Sequence, residues 1–195
     1  MKPWLRYSIC ILLGLGTGGA YAVSNVRNGI TDGQITNGAW TTAKTYGSVD
    51  ATALTRAKVA LSGLLALPAK EAMYFTAKVD RDGKPLDGRC TYEVSGGEFA
   101  ARWWSITLYR GQGWLVKNAA NRWSVNGGSL PMNDSNPPSW MFRVAPSGSA
   151  DDPQYLPRGG VSAFDLTLRL YHPSPDVMAD PEKAALPTIT KKGCK

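Results

Sequence analysis

The stretch from Arg89 to Asn126 constrains the fold more than any other part of the sequence, because it combines strand periodicity with glycine-containing turns. Within it, residues 102–109 alternate between two faces. One face holds Arg102, Trp104, Ile106 and Leu108, and the other holds Trp103, Ser105, Thr107 and Tyr109. A period of two residues is what a half-buried strand requires. The pattern therefore predicts a β-strand with one apolar and one amphipathic face.

The residues on either side of that strand predict further strands beside it. Cys90, Tyr92 and Val94 alternate with polar residues before it. After it, the glycines within 111–113 allow the positive φ angles of a short hairpin that returns through residues 114–116. Together these segments predict an antiparallel meander.

Alternation recurs along the rest of the chain. Residues 73–79, 121–125 and 140–144 each show a short strand pattern. The longest further strand is predicted at residues 164–171, where apolar residues alternate with Asp165, Thr167, Arg169 and Tyr171. Many short strands separated by turn residues are typical of a β-sandwich or barrel rather than of βαβ units. We therefore predict a mainly β fold, an antiparallel β-sandwich.

One amphipathic helix is predicted ahead of these strands. Asp50 is a suitable N-cap, and apolar residues then recur at helical spacing until Pro68 ends the pattern. They are Leu54, Ala57, Leu61, Leu64 and Leu65. We expect this apolar stripe to pack on an end or edge of the sandwich. A partner-binding helix is the alternative.

The N-terminus has the features of an export sequence. Lys2 and Arg6 precede a largely apolar stretch, and residues 20–22 (Ala-Tyr-Ala) are small enough at both ends for cleavage. An uncleaved membrane anchor is the alternative, because the uncharged stretch 7–23 reaches the lower limit of about 17 residues for a span. Since positive charges precede the segment, either outcome leaves the folded part outside the cytoplasm. We expect a cell-envelope protein at the periplasmic face of the inner membrane, anchored through residues 1–22 or released.

The exported part divides into a tether and a domain. Residues 23–47 are polar and predict an extended tether on which Trp40 docks against the domain, and residues 48–195 are predicted to form the β-sandwich. Since Cys10 lies in the apolar N-terminal stretch, Cys90 and Cys194 are the cysteines of the exported part. Two thiols in an oxidising compartment predict a disulfide that pins the C-terminal tail to the first strands, and two unpaired thiols are the alternative.

Several strings of residues resemble the envelope proteins that carry the domain of unknown function 1214. They are NGAWTT, GLLALPAKEAMYFTA, CTYEVSG, ARWWSITLYRGQGWLVKNAANRWSV and FDLTLRLYHPSP. The resemblance extends over nearly all of the chain after the N-terminal segment. It implies a jelly-roll-like β-sandwich in its short, single-domain form, with no established activity or cofactor. It implies no catalytic residues, and Arg110 departs from the acidic residue that the family pattern has after the tyrosine.

The amphipathic faces of the two best strands are the candidate ligand-binding surface. They comprise Trp103, Ser105, Thr107 and Tyr109 on one strand and Asp165, Thr167, Arg169 and Tyr171 on the other. If both faces point into one concavity, they provide aromatic rings with hydroxyl, carboxylate and guanidinium groups between them. Such a surface suits a sugar or another small polar ligand. A solvated outer face is the alternative.

A second polar set consists of Arg102, Asn118, Asn121 and Arg122. A half-buried arginine needs a partner, and asparagine side chains often satisfy turn backbone, so this set predicts structural brackets between strand and loop. Anion recognition is the alternative.

The sequence predicts no catalytic residue, no cofactor and no metal site. His172 is the single histidine of the chain, and no spaced cluster of metal ligands accompanies it. The basic residues behind the net charge of +7 are scattered, which excludes a nucleic-acid footprint. We expect a non-catalytic binding or accessory module of the cell envelope. The alternative is a carbohydrate-active hydrolase or lyase that uses Asp165, Arg169 and His172.

Overall fold

The computed structural model describes residues 3–28, 33–111 and 113–194, and most of its elements are β-strands. In chain order the elements are α1 (Pro3–Asn28), β1 (Gln34–Asn37), β2 (Trp40–Ala43), α2 (Ala53–Leu61), β3 (Ala72–Ala77), β4 (Cys90–Gly97), β5 (Ala101–Tyr109), β6 (Ser124–Asn126), β7 (Ser139–Ala145), β8 (Tyr155–Pro157), β9 (Asp165–Pro173), α3 (Pro175–Ala179) and β10 (Thr188–Cys194). A 3₁₀ turn at Pro181–Lys183 follows α3.

The strands form two sheets that pack face to face. One sheet has the order β1-β2-β3-β9-β5-β6 and the other has the order β10-β4-β7-β8. The strand pairs are antiparallel except β7 with β8. Between the sheets, the Tyr92 and Phe164 rings meet edge-on with centroids 5.6 Å apart, and Trp104 stacks on Trp140 at 4.7 Å. The predicted antiparallel β-sandwich is therefore confirmed in its main features, while the jelly-roll connectivity stays a prediction.

The predicted meander is wrong, because β4 and β5 lie in different sheets. β4 pairs with β10 and β7, whereas β5 pairs with β9 and β6. The chain passes from one sheet to the other between them, where the Phe99 ring packs against Trp104 and Trp140 with centroids 5.1 and 5.8 Å apart. Burial of this aromatic cluster between the sheets is more favourable than a local hairpin that would leave one face uncovered.

The chain reverses after β5 as expected, but the returning strand of the predicted hairpin does not form. The described residues 114–116 form no strand, and Leu115 makes an isolated bridge with Tyr109. The turn closes through a hydrogen bond from the Arg110 N–H to the Trp114 carbonyl at 2.9 Å. The place beside β5 is taken instead by β6, which overlaps the strand predicted at residues 121–125.

Part of the predicted tether belongs to the six-stranded sheet. Within 23–47, residues 34–43 contain β1 and β2, which form the edge of that sheet beside β3. Trp40 is 1% exposed, and its Nε1–H donates to the Pro187 carbonyl at 2.7 Å. The polar composition of this segment predicted a tether and not strands. Threonine is polar but β-branched, so Thr41 and Thr42 fit a strand as well as a loop.

The predicted helix is present but shorter, and its apolar stripe is only partly covered, with Leu54, Ala57 and Leu64 half-buried. Thr52, rather than Asp50, is the N-cap of α2, since its hydroxyl accepts a backbone N–H of the first turn at 3.2 Å. Gly63, with a φ of 64°, stops the helix well before Pro68. Leu61 is 62% exposed and Leu65 is 89% exposed. The helix lies over the outer face of the six-stranded sheet, where it contributes to a cavity.

Both ends of the chain match their sequence features. Pro3–Asn25 within α1 is long and apolar enough to cross a membrane, a property that signal sequences and anchors share. The predicted disulfide is confirmed: Cys90 and Cys194 are bonded and lie opposite each other in the β4–β10 register. Cys10 is free and exposed. The disulfide fixes β10 as an edge strand of the four-stranded sheet.

Candidate ligand-binding cavity

A cavity of about 660 Å³ lies between α2 and the outer face of the six-stranded sheet. Its polar lining on the sheet side is Thr41, Thr76, Lys78, Tyr109, Asp165, Thr167 and Arg169. Its lining from α2 and the residues after it is Lys58, Val59, Ser62, Gly63 and Leu64. The cavity is therefore on the side of the sheet that faces away from the sandwich core.

The two candidate strand faces meet on this side of the sheet. β5 and β9 are neighbours, and their register pairs Trp103 with Tyr171, Ser105 with Arg169, Thr107 with Thr167 and Tyr109 with Asp165. Since successive pairs two residues apart share a face, all eight side chains project to the same side. The neighbouring β3 adds Tyr74 opposite Arg169 and Thr76 opposite Thr167.

Half of the eight residues line the cavity. They are Tyr109, Asp165, Thr167 and Arg169. Ser105 and Thr107 do not line it, but they are only 7% and 9% exposed, so this face is covered rather than fully solvated. Trp103 and Tyr171 lie at the far end of the face as an aromatic pair, with ring centroids 5.3 Å apart.

Arg169 is held in place by the side chains around it. Its Nη2 donates to the Tyr109 hydroxyl at 2.9 Å, and its Nη1 donates to the Thr107 hydroxyl at 3.3 Å. Its Cζ lies 5.8 Å from the centroid of the Tyr74 ring and 5.6 Å from that of Tyr109. A guanidinium carries five N–H donors, so donors remain for a ligand after these two bonds. The result is a positive group with a fixed orientation in the cavity wall.

Asp165 is the one acidic residue among the described residues of the lining. Its Oδ1 accepts the Gly111 N–H at 3.2 Å. Burial raises the pKa of this carboxyl above its usual value, while the charge of Lys78 and the Gly111 hydrogen bond oppose the rise. The carboxyl therefore takes up a proton more readily than an exposed aspartate.

The lysines make the cavity positive overall. Burial and the nearby charge of Lys78 lower the pKa of the Lys58 ammonium. Arg110 lines the same cavity. With Arg169, these side chains place four basic groups against the single carboxyl of Asp165 among the described lining residues. Such a balance favours a negatively charged occupant.

The roof of the cavity is attached to the sheet by close backbone contacts. The Leu67 N–H donates to the Tyr74 hydroxyl at 3.0 Å. At Gly113, which has a φ of 74°, an added Cβ would lie 2.2 Å from the Ser62 carbonyl oxygen. Only glycine permits this approach of the turn after β5 to the end of α2.

In the second polar set, Asn118 and Arg122 make side-chain hydrogen bonds, whereas Arg102 and Asn121 do not within the described part of the chain. The Asn118 side chain bonds the carbonyls of Val116 and Arg122, and the Arg122 guanidinium donates to the carbonyls of Asp152, Tyr155 and Ala150. These contacts join the loop after β5 to the loop before β8. Arg102 and Asn121 are exposed, and their side chains make no hydrogen bond with the described part of the chain.

His172 lies apart from the cavity. Its imidazole is exposed, with Nδ1 3.8 Å from the Glu71 carboxylate, and seven residues of β9 separate it from Asp165. At the rise of a strand this corresponds to roughly 23 Å. The acid-base group of Asp165, Arg169 and His172 is therefore not brought together. Within residues 3–28, 33–111 and 113–194, no three His, Cys, Asp or Glu side chains cluster as metal ligands.

Sequence reasoning missed several cavity residues that had a detectable signal. Thr76 and Lys78 alternate with the predicted core positions around β3, as Thr167 and Arg169 do in β9. The same two-residue alternation would have identified the outer face of β3 as a third part of the candidate surface. Lys58 had no such signal, because helix packing over a sheet is a tertiary property.

Residues 71–175 match the family described as Protein of unknown function (DUF1214). The chain belongs to the DUF1214 family. The matched region runs from β3 to the start of α3, so it includes the part of the sheet wall that β3, β5 and β9 provide, and β1 and β2 lie outside it. Lys58 and the rest of α2 lie outside the match.

The fold is similar to that of a longer protein of known structure. The crystal structure of the VPA0106 protein from Vibrio parahaemolyticus is 22% identical with a TM-score of 0.63, and the match covers 99% of this chain and 46% of that chain. A crystal structure of an uncharacterized protein from Burkholderia cenocepacia is 13% identical with a TM-score of 0.39, and it covers 63% of this chain and 29% of that one. No curated protein matches the chain.

Proposed function

We propose that this protein is a non-catalytic, extracytoplasmic binding module that holds a small polar ligand with an anionic group, such as a sugar acid, beneath α2. The observation that carries the proposal is the position of Arg169, whose guanidinium is fixed in the cavity wall by Tyr109 and Thr107. A guanidinium held in this way suits a carboxylate or a phosphate.

The size and lining of the cavity support a small ligand. About 660 Å³ lies within the range of roughly 300 to 1,000 Å³ that is usual for small-molecule sites. The hydroxyls of Thr41, Thr76 and Thr167 provide donors and acceptors for the hydroxyl groups of a sugar. The Tyr109 ring adds an apolar surface at one end.

Two features support a location outside the cytoplasm. The Cys90–Cys194 disulfide is typical of oxidising compartments. The apolar segment Pro3–Asn25 has the length and composition of a signal sequence or an anchor.

The second candidate function, a carbohydrate-active hydrolase or lyase, rests on the raised pKa of Asp165. A glycosidase of the usual kind needs two carboxyl groups on either side of the scissile bond. The described lining residues place no second carboxyl opposite Asp165. The binding function is therefore the better supported of the two.

Calorimetric titration with glucuronate and galacturonate, and with glucose and galactose as neutral counterparts, tests the proposal. We expect the uronates to bind, and we expect Arg169→Ala to weaken that binding about 10- to 100-fold, as the loss of a charged hydrogen bond of about 1.5–3 kcal/mol implies. Arg102→Ala is the matched control on β5, since Arg102 is exposed outside the cavity. Equal losses in both variants, or turnover of the sugar, would contradict a binding module.

A further inference from the structure

Five large apolar side chains around the cavity roof are exposed to solvent. They are Leu61, Leu65, Leu67, Trp114 and Leu115, and we refer to them as the apolar roof. Trp114 is 63% exposed, which is unusual for so large a ring. An exposed apolar patch of neighbouring residues indicates an interaction surface.

The two chain segments that carry the apolar roof approach each other. The turn that precedes Trp114 touches the end of α2, because Gly113 leaves no room for a Cβ beside the Ser62 carbonyl. Leu65 follows three residues later with a φ of 49°, a left-handed conformation that costs a leucine about 1–2 kcal/mol. The strained backbone at Leu65 is therefore not offset by burial of the Leu65 side chain within the chain.

The position of α1 identifies what covers this surface. α1 contacts α2, the helix that carries Leu61. Five residues connect the end of α1 to β1, and a chain of that length spans at most about 20 Å. If α1 stays in the membrane, the domain is held against the bilayer on the side of α2.

The charge of the same segments suits an anionic lipid surface. Residues 51–70 and 99–133 contain no aspartate or glutamate. The basic residues nearest in sequence to the apolar roof are Lys58, Lys70, Arg110 and Lys117. Basic side chains beside a membrane attract anionic headgroups, and tryptophan is enriched at the boundary between headgroups and acyl chains.

We propose that the apolar roof inserts into the headgroup region of an anionic phospholipid bilayer, next to the membrane-embedded α1. The inserted leucines and Trp114 gain apolar contact there, and the exposed Lys70 and Lys117 contact lipid phosphates. The cavity roof then rests on the membrane surface.

Fluorescence quenching tests this position. The full chain is reconstituted in nanodiscs of phosphatidylglycerol and phosphatidylcholine with brominated acyl chains, and the quenched fraction of tryptophan emission is measured. Trp114→Phe is expected to reduce the quenched fraction. Trp103→Phe is the matched control, because Trp103 is also exposed but lies six residues along β5 from Tyr109, or roughly 20 Å. Equal effects of the two substitutions would overturn the proposal.

A second variant separates lipid contact from self-association. Leu65→Glu places a charge in the apolar roof without disturbing buried contacts, since Leu65 is 89% exposed. We expect Leu65→Glu to reduce Trp114 quenching while the nanodiscs still hold one protein chain each. Nanodiscs that hold two chains of the unaltered protein, and one chain of Leu65→Glu, would show that a second copy covers the surface and would overturn the lipid proposal.

Discussion

The Arg169 guanidinium donates to the Tyr109 hydroxyl at 2.9 Å across the β5–β9 pair, over the intervening Thr107–Thr167 pair. The arginine side chain therefore lies along the sheet instead of extending into solvent. This contact is long-range in the sequence, since the two partners are 60 positions apart. Both residues keep one wall of the cavity polar and ordered.

Tyr109→Phe removes the hydroxyl acceptor and keeps the ring. We expect the free energy of unfolding to fall by about 1–2 kcal/mol, because the Arg169 donor loses its partner in a half-buried position. Uronate affinity is expected to fall as well, since the guanidinium becomes less ordered. Tyr171→Phe is the control on the same face, and chemical denaturation of both variants makes the comparison. A loss of stability in Tyr171→Phe as large as in Tyr109→Phe would contradict the role of this bond.

Binding of an anion is expected to depend on pH through Lys58. Burial and Lys78 lower the pKa of Lys58, so this ammonium loses its proton at a lower pH than the usual 10.5. A bound anion stabilises the charged form and raises that pKa again. Affinity should therefore decline as the pH rises through the free-state pKa of Lys58, and binding in that range should take up protons.

Titrations in two buffers with different ionisation enthalpies measure this proton uptake. At acidic pH, Asp165 should add to it, because its raised pKa keeps the carboxyl partly protonated and a bound anion favours the neutral form. Lys58→Gln is expected to abolish proton uptake at alkaline pH and to leave proton uptake at acidic pH unchanged. Release of protons on binding at acidic or at alkaline pH would refute the assignment of proton uptake to Asp165 and Lys58.

Gly96 and Gly97 are neighbours in β4 with different surroundings. A Cβ at Gly96 would lie 2.7 Å from the Trp140 ring, which is buried in a stack with Trp104, whereas a Cβ at Gly97 would lie 3.5 Å from the Pro138 carbonyl. Gly96→Ala should therefore lower stability by about 1–3 kcal/mol through overpacking. Gly97→Ala should be neutral within about 0.5 kcal/mol. Thermal unfolding of the two variants decides, and equal midpoints would contradict the close contact.

Cys194→Ser opens the disulfide that closes a separation of 104 residues. We expect a loss of about 2–5 kcal/mol in the free energy of unfolding, since the unfolded chain gains freedom. Hydrogen exchange should rise in β10 before it rises in β9. Cys10→Ser is the control, because Cys10 is free and exposed. A C-terminal strand that stays fully protected in Cys194→Ser would show that the disulfide is not needed to hold it.

Arg122→Ala should release the loop before β8. The guanidinium donates to three carbonyls in residues 150–155, and its removal leaves those acceptors without this partner. We expect faster hydrogen exchange at residues 146–155 and a stability loss of about 1–3 kcal/mol. Arg81→Ala is the control, since Arg81 is exposed and its carboxylate contact with Asp82 is 3.9 Å long. Unchanged exchange in the loop would rule out the bracket.

The sequence was most informative where one strand carries its own pattern. The period of two at β5 and β9 located both strands and both faces, because burial of alternate side chains is decided within a few residues. It did not locate β8 or β10, which are short or polar and become strands only through a neighbour. The sheet to which β4 belongs also depends on distant partners, so the local glycine turns wrongly predicted a meander.

The sequence predicted the sheet side of the cavity but not the side formed by α2 and the residues after it. Tyr109, Asp165, Thr167 and Arg169 were among the predicted ligand-binding residues because they share a strand face. The helix pattern before Pro68 predicted burial of Leu61 and Leu65, and the structure exposes both. Helical periodicity alone does not distinguish a stripe that faces the core from one that faces another surface.

The C-terminal strand has a consequence for producing the protein. In a host cytoplasm that keeps thiols reduced, β10 would lose its covalent link to β4 and would be held by backbone hydrogen bonds, the buried Ile189 and the Lys192–Glu93 ion pair. Its detachment would open the edge of the strand that carries Tyr92 and Val94. An uncovered apolar edge recruits strands from other chains and leads to precipitation. Secretion to the periplasm should therefore give monodisperse material, and a purification tag is better placed away from the final residue.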